Sequence, residues 1–117
     1  MNSLLEVKRQ ILSDPANWPV YLMSFVDDFR YYKDVQSISE PFTIDNERVD
    51  ALLASTVEYL CDEMGLTPPE WLESVPCCQR PYFVSGLENL KSFTIVESPL
   101  RFRMRKIFVL ENFLFRV

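Results

Sequence analysis

The sequence predicts an all-α fold: a compact single-domain helical bundle of about five to six helices over residues 1–117. Three observations carry that expectation. Apolar residues recur at three- and four-residue intervals over long stretches. Those stretches begin and end at residues that suit helix termini. Hydrophobic residues make up 48% of the chain and aromatics 14%, enough for a real core without disulfides or metals at this length.

Taken in order, Ser3-Leu4-Leu5-Glu6 has the form of a capping box, with Glu6 placed to reach back to the Ser3 amide. Leu4, Val7, Ile11 and Leu12 follow at helical spacing, and Pro15 closes the first helix. Asn17 is the candidate N-cap of the second, with Pro19 tolerated in its first turn. Trp18, Leu22, Phe25, Val26, Phe29 and Tyr32 form its apolar stripe, Trp18 as a core anchor, while Asp27, Asp28, Arg30 and Lys33 take the other face. Residues 34–43 read as a loop.

Asp45 is the expected cap of the third helix, with Ile44 and Val49 spaced as a hydrophobic staple. Val49, Leu52, Leu53, Thr56, Val57, Leu60, Cys61 and Met64 make the longest periodic pattern. Gly65 stands where a left-handed C-cap is wanted, and Leu66 is placed to pack back over the last turn. Thr67-Pro68-Pro69-Glu70 restarts a short helix carrying Trp71 and Leu72. The stretch 75–84 reads as irregular and aromatic-rich. Ser85-Gly86-Leu87-Glu88 opens a fifth helix toward Val96, and Ser98-Pro99 caps a sixth. Beyond that point periodicity leaves two readings open. Ile107 to Leu110 suit a short extended segment near residues 106–110, whereas Leu110, Phe113, Leu114 and Val117 suit a helix.

The net charge of −5 hides a split. Residues 1–79 hold 5 basic and 14 acidic side chains, a net of −9, and residues 80–117 hold 7 basic and 3 acidic, a net of +4. Either the two parts present a dipolar surface or they pair within one fold. The start MNSLLEVKRQ offers no apolar signal region, and no apolar run approaches the ~20 residues of a membrane span. With an odd count of 3 cysteines, a cytoplasmic location with no membrane segment is the economical reading.

Chemistry-bearing motifs are few. The absence of histidine removes Ser-His-Asp and Cys-His nucleophilic systems and the commonest zinc ligand. Cys77 and Cys78 are adjacent, whereas zinc sites space cysteines by about two to four residues; they read as small loop residues packed near Trp71. Asp27-Asp28 and Asp62-Glu63 read as solvated helix faces. The expectation is therefore a non-enzyme, with no catalytic, cofactor-binding or metal-ligating residue. The helix hairpin at Gly65-Leu66 imitates a helix-turn-helix, but Glu70 and Glu73 at the start of its second helix are the wrong charge for phosphates. The one basic cluster is Arg101, Arg103, Arg105 and Lys106, interleaved with Phe102 and Met104. On a helix after Pro99, Leu100 and Met104 would face inward and the four cations would spread over the surface. They are the expected partner-binding residues, unless they serve to tie the C-terminal helix to the acidic part of the chain.

Pro81-Tyr82-Phe83-Val84, Leu87, Leu90 and the run Glu97-Ser98-Pro99-Leu100-Arg101-Phe102-Arg103-Met104-Arg105-Lys106-Ile107-Phe108-Val109, with Asp50-Ala51-Leu52-Leu53 and Gly65-Leu66-Thr67-Pro68-Pro69-Glu70-Trp71, carry a resemblance. Over roughly residues 45–117 the chain resembles a family of short bacterial proteins of unknown biochemical role. Similar segments lie behind the DNA-binding domain of XRE-type regulators, and both kinds are encoded beside nucleotidyltransferase-like proteins in toxin–antitoxin-type pairs. The resemblance implies an antitoxin-like companion that binds and occludes a protein partner, such as a nucleotidyltransferase-like toxin. This chain departs from the longer regulators in having no DNA-reading helix before the shared part, which argues against direct DNA binding. The second reading is a regulator's accessory domain contacting nucleic acid through the basic segment.

Overall fold

The computed structural model describes residues 3–84, 98–109 and 113–114. These residues are mostly helical, with a minimal sheet. In chain order they form α1 (Leu4–Ser13), α2 (Trp18–Tyr32), α3 (Glu47–Met64), β1 (Tyr82–Phe83), α4 (Leu100–Met104) and β2 (Ile107–Phe108). Three 3-10 turns, Pro15–Asn17, Val35–Ile38 and Glu70–Ser74, connect them. Four α-helices among the described residues are fewer than the five to six expected. The segment after Pro69 closes into a 3-10 turn instead of an α-helix, and the helix expected over 85–96 lies outside the described residues. A Cα radius of gyration of 13.3 Å is what a compact folded chain of this length has.

The termini show which sequence signals acted. Ser3 Oγ accepts the Glu6 amide at 3.3 Å, but the Glu6 carboxylate turns to Arg9 instead of closing a capping box. Asn17 stands at the N-cap position of α2 as expected but makes no side-chain cap bond; its side-chain amide donates to Asp14 Oδ2 at 2.9 Å, and the chain enters α2 through the turn that Pro15 starts. Lys33, with φ 53°, ends that helix in the left-handed region. At α3 the cap is Asn46, whose Oδ1 accepts the Val49 amide at 3.1 Å. Asp45, one residue earlier, is held elsewhere by Lys8, and Ile44 is 44% exposed, too open for a staple. Gly65 ends α3 at φ 71°, and Leu66 N donates to Cys61 O at 2.8 Å, so the left-handed cap forms as expected.

Helix α3 is the axis of the molecule. Every residue from Asp50 through Val57, with Glu58, is buried, the signature of a helix covered on all sides rather than along one stripe. α1 packs on it and on α2, and α4 packs on its later turns. Phe25 and Phe29 stack 5.9 Å apart in the core, and the late part of the chain contributes Phe102, Ile107, Val109 and Leu114. Tyr32 is 59% exposed and lies beyond the buried stripe of α2. β1 and β2 run parallel, with Tyr82 opposite Ile107 and Phe83 opposite Phe108. The extended reading thus holds at residues 107–108, while Phe113 and Leu114 lie in a turn. Among the described residues no helix is long and apolar enough to cross a membrane.

At the other end of α3, Lys8 is buried to 5% exposure. Its Nζ lies 2.6 Å from Asp45 Oδ1 and 2.7 Å from Asp50 Oδ1. It also donates to Thr43 O and sits 4.8 Å above the Phe42 ring. The other Asp50 oxygen accepts the amides of Asp45 and Asn46, each at 2.9 Å. One lysine thus pins α1 to the entry of α3.

Burial alone would lower the Lys8 pKa, but the hydrogen bonds and charges of Asp45 and Asp50 outweigh it and raise it above 10.5. A raised folded-state pKa contributes stability that is complete below the unfolded value and is lost as pH rises through the folded one. The stability difference between wild type and Lys8→Met should therefore be constant across neutral pH and shrink only above pH 10.5. Urea titrations at a series of alkaline pH values measure this; a difference that fades below pH 9, ~1 unit or more too early, would contradict the assignment.

Candidate functional site

α4 turns a different face inward from the one its sequence suggests. Phe102 is 1% exposed and Arg105 7%, whereas Leu100 is 63% and Met104 60% exposed. The cause is on α3. Glu58 is buried at 4% exposure, and a buried carboxylate is tolerated only with a bonded cation. Arg105 supplies it, three residues from Phe102 on the same face, and so displaces Met104 to the outside.

The Arg105 guanidinium donates to Glu58, to Leu72 O at 2.8 Å and to Val75 O at 3.3 Å. Its own carbonyl accepts the Cys78 amide at 2.9 Å. Arg101 grips Asp62 through Nε at 2.7 Å and Nη2 at 3.0 Å and reaches Glu58 at 3.5 Å. Arg30 forms the same two-pronged contact with Glu63, at 3.0 Å on each arm, and donates to Leu114 O at 2.6 Å. Asp62 and Glu63 are exposed but paired. The two oppositely charged parts of the sequence therefore meet inside one fold.

Of the four cations expected to bind a partner, the structure commits Arg101 and Arg105 to internal carboxylates and leaves Arg103 and Lys106 exposed. Neither exposed cation has an ion pair among the described residues. Lys106 follows α4 at φ 60°, and its carbonyl accepts the Tyr82 amide at 2.9 Å, so β2 starts immediately after the turn. Ser98 does not cap α4. Its hydroxyl instead accepts the Val109 amide at 2.8 Å and donates to Val109 O at 2.9 Å, closing the segment on itself.

Two openings of about 370 Å³ each flank α4, one between Pro99-Leu100 and Tyr59, the other between Met104 and Cys77. The Arg101 and Arg105 guanidiniums that line them are already bonded to Glu58 and Asp62. The outer surface carries two exposed apolar side chains, Leu100 and Met104, beside two exposed cations, Arg103 and Lys106. Sequence reasoning missed Glu58 and Lys8. The available signal was position, because Glu58 lies three residues before buried Cys61 and four after buried Ala54, on a face with no route to water.

Among the described residues no three His, Cys, Asp or Glu side chains stand close enough to hold a metal. The three cysteines are free. Cys77 is exposed and Cys78 is buried in the core, against which Trp71 also packs, its ring 5.0 Å from that of Phe42. Burial, then the Asp62 charge, pushes the Cys61 thiol up to about 11, and burial likewise raises Cys78. Trp18 is half-buried; it packs against the core, 6.3 Å from Phe113, and also walls a cavity.

Glu58→Gln or Arg105→Met alone should destabilise by about 3–5 kcal/mol, because each leaves a buried charge without its partner. The double variant Glu58→Leu, Arg105→Met should recover much of that loss, and Arg103→Glu should change stability by less than about 0.5 kcal/mol. Denaturant melts of the four variants decide this. At neutral pH a thiol reagent should label Cys77 in the native protein and reach Cys61 and Cys78 only on unfolding; rapid native labelling of all three would refute the burial assignment.

Comparison with known proteins gives no family: no model of a protein family, no curated protein and no solved structure matches this chain.

Proposed function

We propose that the chain is a protein-interaction module, the antitoxin-like companion in a toxin–antitoxin-type pair, acting by binding and covering a partner protein. The observation that supports this reading is the outward face of α4 and the residue pair that ends it. Leu100 and Met104 stand 63% and 60% exposed on a segment whose other face is bonded to the core by Phe102, Arg101 and Arg105. A helix with a satisfied inner face and an apolar outer one has surface suited to a partner. Arg103 and Lys106 beside it suit carboxylates or phosphates on that partner and favour encounter over affinity. Within the basic cluster this reading rests on Arg103 and Lys106 with their two apolar neighbours, Arg101 and Arg105 being bonded to Asp62 and Glu58.

The reading in which the segment contacts nucleic acid has less support. Two exposed cations of this segment without an ion pair among the described residues, beside a strongly acidic body, supply few phosphate contacts and a shallow salt dependence.

The test is co-purification with the product of the adjacent gene. Met104→Glu and the double variant Arg103→Glu, Lys106→Glu should each reduce capture about tenfold or more while leaving the melting temperature unchanged. Equal capture by wild type and both folded variants would remove α4 from the interface. Steeply salt-dependent binding to duplex DNA, lost in the double variant, would favour the nucleic-acid reading instead.

A further inference from the structure

A second feature lies away from α4. Between the end of α1, the start of α2, the first turns of α3 and β1 there is a cavity of about 90 Å³, walled by Ile11, Pro15, Trp18, Val49, Leu52 and Tyr82. Among the described residues its single charged lining residue is Arg48, whose guanidinium stands 4.9 Å from the centre of the Tyr82 ring. No carboxylate among the described residues pairs with it. The neighbouring acids are engaged: Glu47 accepts the Gln79 amide at 2.7 Å, and Asp45 and Asp50 are held by Lys8. Arg48 is also the second residue of α3, where the positive end of the helix disfavours a cation that has no anion beside it.

An apolar chamber with one placed cation is the usual arrangement of a small-ligand site. A dry cavity of about 150 Å³ takes benzene, so one of about 90 Å³ takes a branched alkyl group of roughly four carbons. We propose that this cavity binds a small branched-chain monocarboxylate, its alkyl group against Trp18, Leu52 and Tyr82 and its carboxylate on Arg48. The guanidinium fork matches a carboxylate in two parallel hydrogen bonds, while the ring beneath it holds the fork in place. The site is independent of the interface on α4.

Isovalerate carries this chemistry in its smallest form, and isovaleramide and acetate each lack one half of it. Amide-proton NMR titrations of the full chain should show saturable shifts of the Trp18 indole and the Val49 and Leu52 amides with isovalerate. Isovaleramide and acetate should bind about tenfold more weakly, the worth of one charged hydrogen-bonded contact or of the alkyl group. Arg48→Gln, on an exposed side chain, should make the acid and the amide equal, and Val49→Phe should fill the chamber and abolish the shifts. No saturable shift with isovalerate overturns the proposal, as does equal binding of acid and amide by wild type, or a preference for the acid that survives in Arg48→Gln.

Discussion

The architecture depends on one buried charge pair. Glu58 stands in the middle of the most enclosed helix, and Arg105 reaches it from the far end of the described chain, 47 residues later. The same guanidinium holds the carbonyls of Leu72 and Val75, and the Arg105 carbonyl holds Cys78. One side chain and its backbone thus fix three segments that also share the apolar core: the central helix, the turn that follows it and the C-terminal segment. Hydrophobic burial supplies most of the driving force, but it is non-directional. The pair supplies the register, because only one approach of α4 satisfies both the carboxylate and the carbonyls.

Lys8 performs the corresponding task at the entry of α3. It too is a long side chain with its stem in the core and its head bonded to two carboxylates and a carbonyl. Helix α3 is therefore held at its entry by a cation from α1 and in its middle by the cation that follows α4. Both tie distant sequence to the same helix.

Much of the helical framework was legible, since α1, α2 and α3 follow the apolar spacing of their residues and Gly65 ends α3 where its conformation is required. The misread positions share a cause. Asn17, Asp45 and Ser98 each look like caps by type and place, yet each is claimed by a competing bond or displaced by a turn that only the folded chain brings near. Leu100 and Met104 were placed inward on hydrophobicity alone; the buried Glu58, invisible to a pattern that scores apolar residues, reversed the face. The basic cluster was legible as a cluster. Its division into bonded and free cations was not, because that division depends on carboxylates some forty residues away, Glu58 and Asp62. The Arg48 cavity had no signal at all, its walls coming from four separate segments.

The late segment brings both the last core side chains, Phe102, Ile107, Val109 and Leu114, and the positive charge that offsets an N-terminal part of net −9. A local opening of that segment, the kind of sub-global fluctuation through which folded proteins breathe, would bare the apolar flank of α3 and strip its counter-charge in the same event. Two molecules caught in that state would face each other as strongly acidic bodies, and like charge keeps such bodies apart in solution. The acidity that makes the first helices depend on the last segment is also what protects them, colloidally, whenever that segment lets go.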